Sequence, residues 1–341
     1  MKLLRTLLFP LSILFYLAIW IRNKLYEYRI LKSTKFSIPV VCIGNLSTGG
    51  TGKTPHTEYL IRLLQETNKK IATLSRGYGR NTNGFRLVAE NDSAALVGDE
   101  PLQLKNKFPA IDVAVCEDRV AGINQLLAFN PKLDIVLLDD AFQHRAVTPS
   151  FSILLTDYAN LYCNDFILPA GNLREPRSVA ARAAAVVVTK CPMNISAKEM
   201  TLITQKIKKT NTQRIFFSHI KYGELVSLAN GTILKALPSK IISVSGIAHP
   251  EVFLEHLRQK GNLIKSFVYS DHYDFSERDI VSIVSFYKMN KAEELAIVTT
   301  EKDAMRLRKF NKQLADIPVY YVPIEVSFID KEFDSYFLKK V

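Results

Sequence analysis

The feature that most constrains the fold of this chain is an apolar run followed by a glycine-rich loop and a helical pattern. Residues 40–55 read VVCIGNLSTGGTGKTP. The exposed backbone N–H groups of such a loop, together with the N-terminus of the helix that follows, form a binding site for a polyphosphate. The order strand, loop and helix therefore predicts a P-loop and a nucleotide as its ligand.

The loop contains a lysine and a hydroxyl at the positions that a nucleotide requires. Lys53 would reach the β- and γ-phosphates of ATP, and Thr54 would ligate Mg²⁺. The usual pattern, G-x-x-x-x-G-K-[ST], has a glycine where this chain has Ser47, and Gly49 and Gly50 supply the backbone freedom instead. The predicted ATP-binding residues are Ser47, Thr48, Gly49, Gly50, Thr51, Gly52, Lys53 and Thr54.

Short apolar runs alternate with helical patterns, such as residues 54–66 and 118–129, through the first two thirds of the chain. Several runs are continuously apolar, as strands covered on both faces tend to be. We therefore predict an α/β fold, a P-loop NTPase-type parallel sheet with helices on both faces. The predicted strands are Ile38–Ile43, Lys70–Ser75, Asp112–Cys116, Asp134–Leu138, Ser152–Thr156 and Ala185–Thr189.

The pattern changes near residue 215. Segments 215–228 and 232–237 flank Asn230-Gly231, a strong signal for a two-residue hairpin, which we interpret as a β-ribbon linking two lobes. The strands predicted for a second, smaller α/β domain are Lys240–Ser245, Leu263–Tyr269, Leu295–Thr300 and Ile317–Val322. The predicted organisation is an N-terminal helix with a basic flank (1–35), a P-loop kinase core (36–214), a β-hairpin linker (215–239) and a second lobe (240–341).

The N-terminal region has the character of a membrane-bound helix. Residues 6–21 read TLLFPLSILFYLAIWI, without a charge, and basic residues flank both ends. As a helix they cover about 24 Å, against a hydrocarbon core of about 30 Å. We predict a helix that lies in or dips into the cytoplasmic leaflet, with an anionic membrane surface as partner and a buried core helix as the alternative. Whether it spans the bilayer stays open.

The composition limits the partners further. A formal net charge of +12 implies an anionic partner, which could be nucleic acid, an acidic membrane or a phosphorylated substrate. No patch interleaves aromatic with basic residues, so we expect no nucleic-acid partner. The four cysteines are scattered without metal spacing and are typical of buried thiols in a reducing compartment. No protein partner can be inferred.

A second motif suits a metal-bound nucleotide. Residues 132–145 read KLDIVLLDDAFQHR, an apolar strand that ends in Asp139 and Asp140. A carboxylate at this position of a P-loop fold meets the Mg²⁺ shell. Residues 189–192 read TKCP and resemble the guanine-reading [NT]-K-x-D turn, but Pro192 replaces the aspartate, so GTP is disfavoured.

Several segments together resemble the tetraacyldisaccharide 4′-kinases of lipid A assembly, in family order from about residue 40 to residue 308. The N-terminal helix is similar as well. The segments are GNLSTGGTGKTP (44–55), LSRGYGR (74–80), GDEP (98–101), DDAFQHR (139–145), LPAGNLREP (168–176), SGIAHPEVF (245–253), DHYDFS (271–276) and TTEKDAMRL (299–307).

The resemblance implies a kinase that transfers the γ-phosphoryl group of ATP to the 4′-hydroxyl of a tetraacylated glucosamine disaccharide 1-phosphate. It places the enzyme at the cytoplasmic face of the bacterial inner membrane, attached through the N-terminal helix. By motif, Asp99 becomes the base for the sugar hydroxyl, assisted by His272, and Lys53 serves ATP. Arg174 would steady charge on the transferred group. The implied metal shell and its surroundings comprise Thr54, Asp139, Asp140, Gln143 and Glu175.

Two other classes of protein remain as alternatives at this point. A membrane-recruited P-loop ATPase switch of the partitioning or metallochaperone type explains the loop, the acidic strand end and the anchor. It does not explain the GDEP and DHYDFS segments. A nucleic-acid-binding ATPase rests on the net charge alone.

Overall fold

The computed structural model describes residues 8–208, 210–271, 273–291 and 294–341. The strands, in chain order, are β1 Val40–Asn45, β2 Ile71–Ser75, β3 Arg86–Leu87, β4 Asp112–Val115, β5 Ile135–Asp139, β6 Phe151–Asp157, β7 Ala185–Thr189, β8 Arg214–Tyr222, β9 Leu225–Ser227, β10 Ile233–Leu234, β11 Lys240–Ser245, β12 Asn262–Val268, β13 Leu295–Thr300, β14 Val319–Val322 and β15 Ile324–Phe328. The helices are α1 Phe9–Glu27, α2 Lys53–Gln65, α3 Ala94–Val97, α4 Asp99–Lys107, α5 Arg119–Phe129, α6 Ala197–Ile207, α7 Pro250–Lys260, α8 Glu277–Met289, α9 Glu301–Leu307, α10 Asn311–Leu314 and α11 Glu332–Leu338.

The chain divides into two compact units. The first comprises residues 1–92, 96–220 and 326–341, and the second comprises residues 93–95 and 221–325. The sequence placed residues 326–341 in the second lobe, whereas the structure groups them with the first unit. The backbone N–H of Ile329 donates to the carbonyl of Phe217, so this terminal segment runs beside β8.

The first unit is built on a nine-stranded sheet in the order β15-β8-β7-β6-β1-β5-β2-β4-β3. The pairs from β8 through β7, β6, β1, β5 and β2 to β4 are parallel, and the short edge strand β3 pairs with β4 in the antiparallel direction. Strands β1, β5 and β7 are buried along their whole length, as the unbroken runs of Val, Ile and Leu predict. The predicted α/β class is therefore confirmed, and the P-loop follows the central strand.

The second unit contains a six-stranded sheet in the order β10-β9-β14-β13-β11-β12. Strands β11, β12, β13 and β14 pair in parallel, and one hydrophobic cluster packs on each side of the sheet. The predicted hairpin forms at Asn230-Gly231, where Gly231 has φ of +72°. Its loop is longer than the predicted two residues, because the N–H of Ser227 donates to the carbonyl of Thr232 and the N–H of Gly231 donates to the carbonyl of Ser227. The predicted strand 215–228 is divided, with β8 in the first sheet and β9 in the second.

Helix α1 exposes most of its apolar side chains and buries two polar ones. Its two buried residues are Ser12 and Asn23, and nine of its large hydrophobic side chains are exposed. The Ser12 hydroxyl donates to the carbonyl of Ile167 at 3.1 Å and accepts from the N–H of Ala170 at 2.9 Å. Among the residues that the structure describes, no helix combines the length and the apolar character needed to cross a bilayer.

Candidate active site

The predicted site residues lie at the carboxyl ends of neighbouring parallel strands. Strand β1 ends at Asn45 and continues into the loop 46–52, and strand β5 ends at Asp139. The two strands pair in parallel, with Ile43 opposite Asp139. Because parallel strands end at the same edge of a sheet, the glycine-rich loop and the two aspartates come together, as the sequence predicted.

The loop has the conformation that a phosphate site requires. Gly49 and Gly52 have φ of +109° and +83°, in the region that side chains rarely adopt. A Cβ atom at Gly49 or Gly50 would meet no other atom within 4 Å, so the space above the loop is open to a ligand. The Asn45 amide donates to the Thr51 hydroxyl at 2.7 Å and holds the loop against the end of β1.

A charged cluster lies beside the loop. The Lys53 ammonium is 3.8 Å from the Asp140 carboxylate, and Arg174 donates to both Asp140 oxygens at 2.8 and 3.2 Å. Burial would raise the pKa of Asp140, but Lys53, Arg174 and Arg119 outweigh burial and hold that pKa below its ordinary value. Asp140 therefore carries a negative charge, and the positive charges of Lys53 and Arg174 lie beside it.

Asp139 occupies a different environment from its neighbour. Its side chain is buried and accepts from the Thr57 hydroxyl at 3.3 Å and from the N–H of Asp140 at 3.1 Å. Burial and the charge of Glu100 raise the pKa of Asp139, and Lys53 opposes the rise only in part. A divalent cation near this carboxyl would favour the ionised form and lower the pKa.

Three further predicted residues adjoin the loop. The Gln143 amide donates to the carbonyl of Asn45 at 2.6 Å, and Arg174 also bonds to the Asn45 side chain. Thr54 is the second residue of α2 and is half-buried. Ser47 pairs with Leu173 in an isolated bridge, which ties the loop to the LPAGNLREP segment. The structure thus brings together residues from three of the motifs.

The contacts of Glu175 lie apart from the loop. Its fully buried carboxylate is held by Arg22 of α1 at 2.5 Å and by Arg182 at 2.6 Å, and Asn23 lies at 3.5 Å. Both oxygens are thus taken by arginines, and none of these partners belongs to the loop or to the aspartate pair. These contacts dock α1, and the place of Glu175 in the metal shell or its surroundings stays a prediction.

The comparisons with known proteins agree on one family. The model of the tetraacyldisaccharide-1-P 4′-kinase family matches residues 4–341. The chain is therefore a member of this family. The tetraacyldisaccharide 4′-kinase of Flavobacterium johnsoniae is 48% identical over 97% of this chain and 95% of the relative. That of Bacteroides thetaiotaomicron is 44% identical over 96% and 90%.

A solved structure supports the same assignment. The crystal structure of LpxK from Aquifex aeolicus in complex with ATP is 28% identical, covers 99% of both chains and has a TM-score of 0.76. The predicted family and the α/β fold are thus confirmed. Membership of a kinase family also decides against the P-loop ATPase switch and the nucleic-acid-binding ATPase.

Within this family assignment, the two residues expected to act on the sugar hydroxyl have unequal structural support. Asp99 is the first residue of α4 and follows Gly98, whose φ is +94°. His272 lies outside the described residues. Their pairing stays a prediction.

The donor set fits ATP with magnesium. Within residues 8–208, 210–271, 273–291 and 294–341, no three His, Cys, Asp or Glu side chains form a cage for a metal. Magnesium does not need such a cage, because it keeps several waters and binds one or two carboxylates together with substrate phosphates. Asp139, Asp140 and the Thr54 hydroxyl, next to an open phosphate loop, are a suitable set.

Asn45 is a site residue that the sequence reasoning missed. It is fully buried at the end of β1 and contacts Thr51, Arg174 and Gln143, so it connects the loop to both other motifs. A signal was present in the sequence. A buried amide that ends an apolar strand directly before a glycine-rich loop needs polar partners, and the loop backbone is the nearest source.

Proposed function

We infer that this chain transfers the γ-phosphoryl group of ATP to the 4′-hydroxyl of a tetraacylated glucosamine disaccharide 1-phosphate, a step in lipid A biosynthesis. The observation that carries this inference is the cluster of Lys53, Asp140 and Arg174 beside an open P-loop, in a chain that matches the family over residues 4–341. Phosphoryl transfer depends mainly on positioning and on neutralising charge, and this cluster supplies both.

We assign the residues of the site the following roles. The loop N–H groups and Lys53 bind the phosphates, and Arg174 places a second cation near the transferred group. Asp139, Asp140 and Thr54 would hold Mg²⁺, which when bound neutralises phosphate charge. Gln143 supports the site through the carbonyl of Asn45. Asp99, assisted by His272, would accept the proton of the sugar hydroxyl.

A transfer assay tests the proposed function directly. We expect label from [γ-³²P]ATP to appear on the tetraacyldisaccharide 1-phosphate when the full chain is incubated with Mg²⁺ and the lipid in detergent micelles. The same lipid already phosphorylated at the 4′ position should accept no label, because it has no free hydroxyl there. Release of inorganic phosphate without labelled lipid would contradict the proposal.

We propose further that α1 attaches the protein to the cytoplasmic leaflet of the inner membrane. Apolar side chains of α1 are exposed to an unusual extent: 53% at Leu11, 57% at Ile13, 64% at Leu14 and 47% at Leu17. The contacts that hold this helix are polar, at Ser12 and at the Arg22–Glu175 pair. A helix that is docked by polar groups and exposes most of its apolar side chains can bury them at the membrane interface, which favours association.

Charge supports the same orientation. The exposed residues Arg29, Lys32 and Lys35 follow α1 closely. Each basic residue near an anionic surface contributes about 1 kcal/mol to association. Apolar insertion and electrostatic attraction would then act on the same end of the chain.

Charged substitutions on α1 are expected to release the protein from membranes. Leu14→Glu combined with Leu17→Glu places two carboxylates in the proposed apolar contact, while the contacts of Ser12 and Arg22 stay in place. We expect most of the protein to lose co-flotation with vesicles that contain anionic lipid. The control is Leu202→Glu with Val281→Glu, which changes two apolar residues of other helices that are 57% and 62% exposed. Equal flotation of both double variants would contradict the anchor.

A further inference from the structure

The last residue of strand β7, Thr189, and the residue after it, Lys190, have side chains that reach the P-loop backbone. The Thr189 hydroxyl is 2.9 Å from the carbonyl of Thr51, closer than its other neighbour, the Thr156 carbonyl, at 3.3 Å. The Lys190 ammonium donates to the carbonyl of Gly50 at 2.5 Å. These are the first two residues of the TKCP segment, whose resemblance to a guanine-reading turn left it without a role.

A third residue holds the next carbonyl of the loop. His56 Nδ1 is 2.6 Å from the carbonyl of Gly52, and its Nε2 is 2.9 Å from the Ser218 hydroxyl. Burial lowers the pKa of His56 to about 4, so the ring is neutral near pH 7. Because a carbonyl only accepts, Nδ1 carries the proton and Nε2 accepts from Ser218. The loop carbonyls at 50, 51 and 52 are thus each bonded to a different side chain.

The direction of these carbonyls determines the direction of the loop N–H groups. In a trans peptide unit, the carbonyl of one residue and the N–H of the next point in opposite directions. Fixing the carbonyls of Thr51 and Gly52 therefore turns the N–H groups of Gly52 and Lys53 to the opposite side. Those N–H groups open helix α2, where a phosphate binds in folds of this type. The N–H of Thr51 donates within the loop, to the carbonyl of Gly49 at 3.1 Å.

The backbone of Lys190 supports a specific role. Its φ of +57° lies in the left-handed region, which is unfavourable for a non-glycine residue. Asp157, at the end of β6, holds the Lys190 ammonium at 2.8 Å. A strained lysine that is fixed from one side by a carboxylate and reaches the loop from the other is typical of a functional site.

We propose that Thr189, Lys190 and His56 are positioning residues for the nucleotide: they hold three consecutive P-loop carbonyls and thereby orient the N–H groups that bind the phosphates. None of the three needs to touch the ligand. The inference rests on the proposed function, because it takes the P-loop as the site of ATP.

Binding of Mg·ADP to the full chain, measured by calorimetry, tests this inference. Thr189→Val keeps the shape of the side chain and removes the hydroxyl donor. His56→Leu and Lys190→Met remove the other two donors. Each variant should bind Mg·ADP about three- to tenfold more weakly than wild type, as expected for the loss of one hydrogen bond. His56→Asn places an amide N–H near the position of Nδ1 and should recover most of the affinity that His56→Leu loses.

A neighbouring threonine provides the matched control. Thr156 is buried on β6, and its hydroxyl accepts from the N–H of Tyr162 at 3.0 Å. Thr156→Val should lower the melting temperature and leave the affinity for Mg·ADP unchanged. Equal affinities of Thr189→Val and Thr156→Val would overturn the role of Thr189, and equal affinities of His56→Asn and His56→Leu would overturn that of His56. Failure of the wild type to bind Mg·ADP would instead contradict the proposed function.

Discussion

Replacing Lys53 with alanine is expected to reduce phosphoryl transfer by about 10²–10³-fold or more while the protein stays folded. The Lys53 ammonium is the cation that the first turn of α2 places beside the loop, 3.8 Å from Asp140. Its charge would lie at the β- and γ-phosphates, where negative charge moves during transfer. Its loss therefore removes an interaction that the transition state needs and that no neighbour on α2 replaces.

The folded structure depends little on Lys53. Asp140 keeps two hydrogen bonds from Arg174, so the substitution does not leave this half-buried carboxylate without a cation. The measurement is the rate of label transfer from ATP to the lipid, with a melting curve for each protein. Arg214→Ala is the control, because it removes a cation that pairs with Glu332 on an exposed surface. A folded Lys53→Ala protein with wild-type turnover would show that the loop is not the ATP site.

The parts of this fold that the sequence predicted well depend on local patterns. The strand Ala185–Thr189 was predicted to the residue, and the central strand was predicted within two residues. The P-loop and the DDAFQHR strand end could be found because strand, loop and helix follow one another directly in the chain. The carboxyl-end rule for parallel sheets then placed the two motifs together without any further information.

The contacts that the sequence did not predict are long-range. Arg174 and Glu175 are adjacent in the chain, yet Arg174 contacts Asp140 whereas Glu175 contacts Arg22, 153 residues away. The chain bends at both residues, and their side chains enter two different networks. Sequence alone did not show which of the two residues faces the loop. The TKCP segment was missed for a related reason, since Thr189 and Lys190 contact backbone carbonyls of a loop that is distant in the chain.

The boundary of the second lobe also could not be predicted from local sequence patterns. Strand β15 lies at the edge of the first sheet next to β8, although about a hundred residues of the second unit separate the two in the chain. Pairing of this kind depends on which sheet edge is open, and periodicity does not report that. The sequence therefore identified two α/β units and assigned the last segment to the nearer one.

The second large effect is expected at Asp99, which we predict to be the general base. Asp99 opens α4 after a glycine with positive φ, in a motif that binding of ATP does not require. General-base assistance typically contributes about 10²–10⁴-fold to a rate. Asp99→Ala should therefore lower kcat within that range and leave the affinity for ATP almost unchanged. Glu277→Ala is the matched control, because Glu277 is also an acidic first residue of a helix, α8.

His272 is expected to act with Asp99 as a pair on the sugar hydroxyl. An imidazole that polarises the carboxylate would help it to accept the proton, so His272→Ala should lower kcat in the same way. His249→Ala, at the start of α7, is the control for loss of another histidine. A variant at either predicted position that only raises KM for ATP would place that residue in the nucleotide pocket instead.

The double variant decides whether the two residues form one unit. Residues that act together are strongly non-additive, because removal of either already removes most of the shared contribution. Asp99→Ala combined with His272→Ala should therefore be scarcely slower than the more damaged single variant. The four proteins of this cycle are compared by kcat at saturating ATP and lipid. Losses that multiply in the double variant would mean that Asp99 and His272 contribute independently, and the proton would then be accepted without the imidazole.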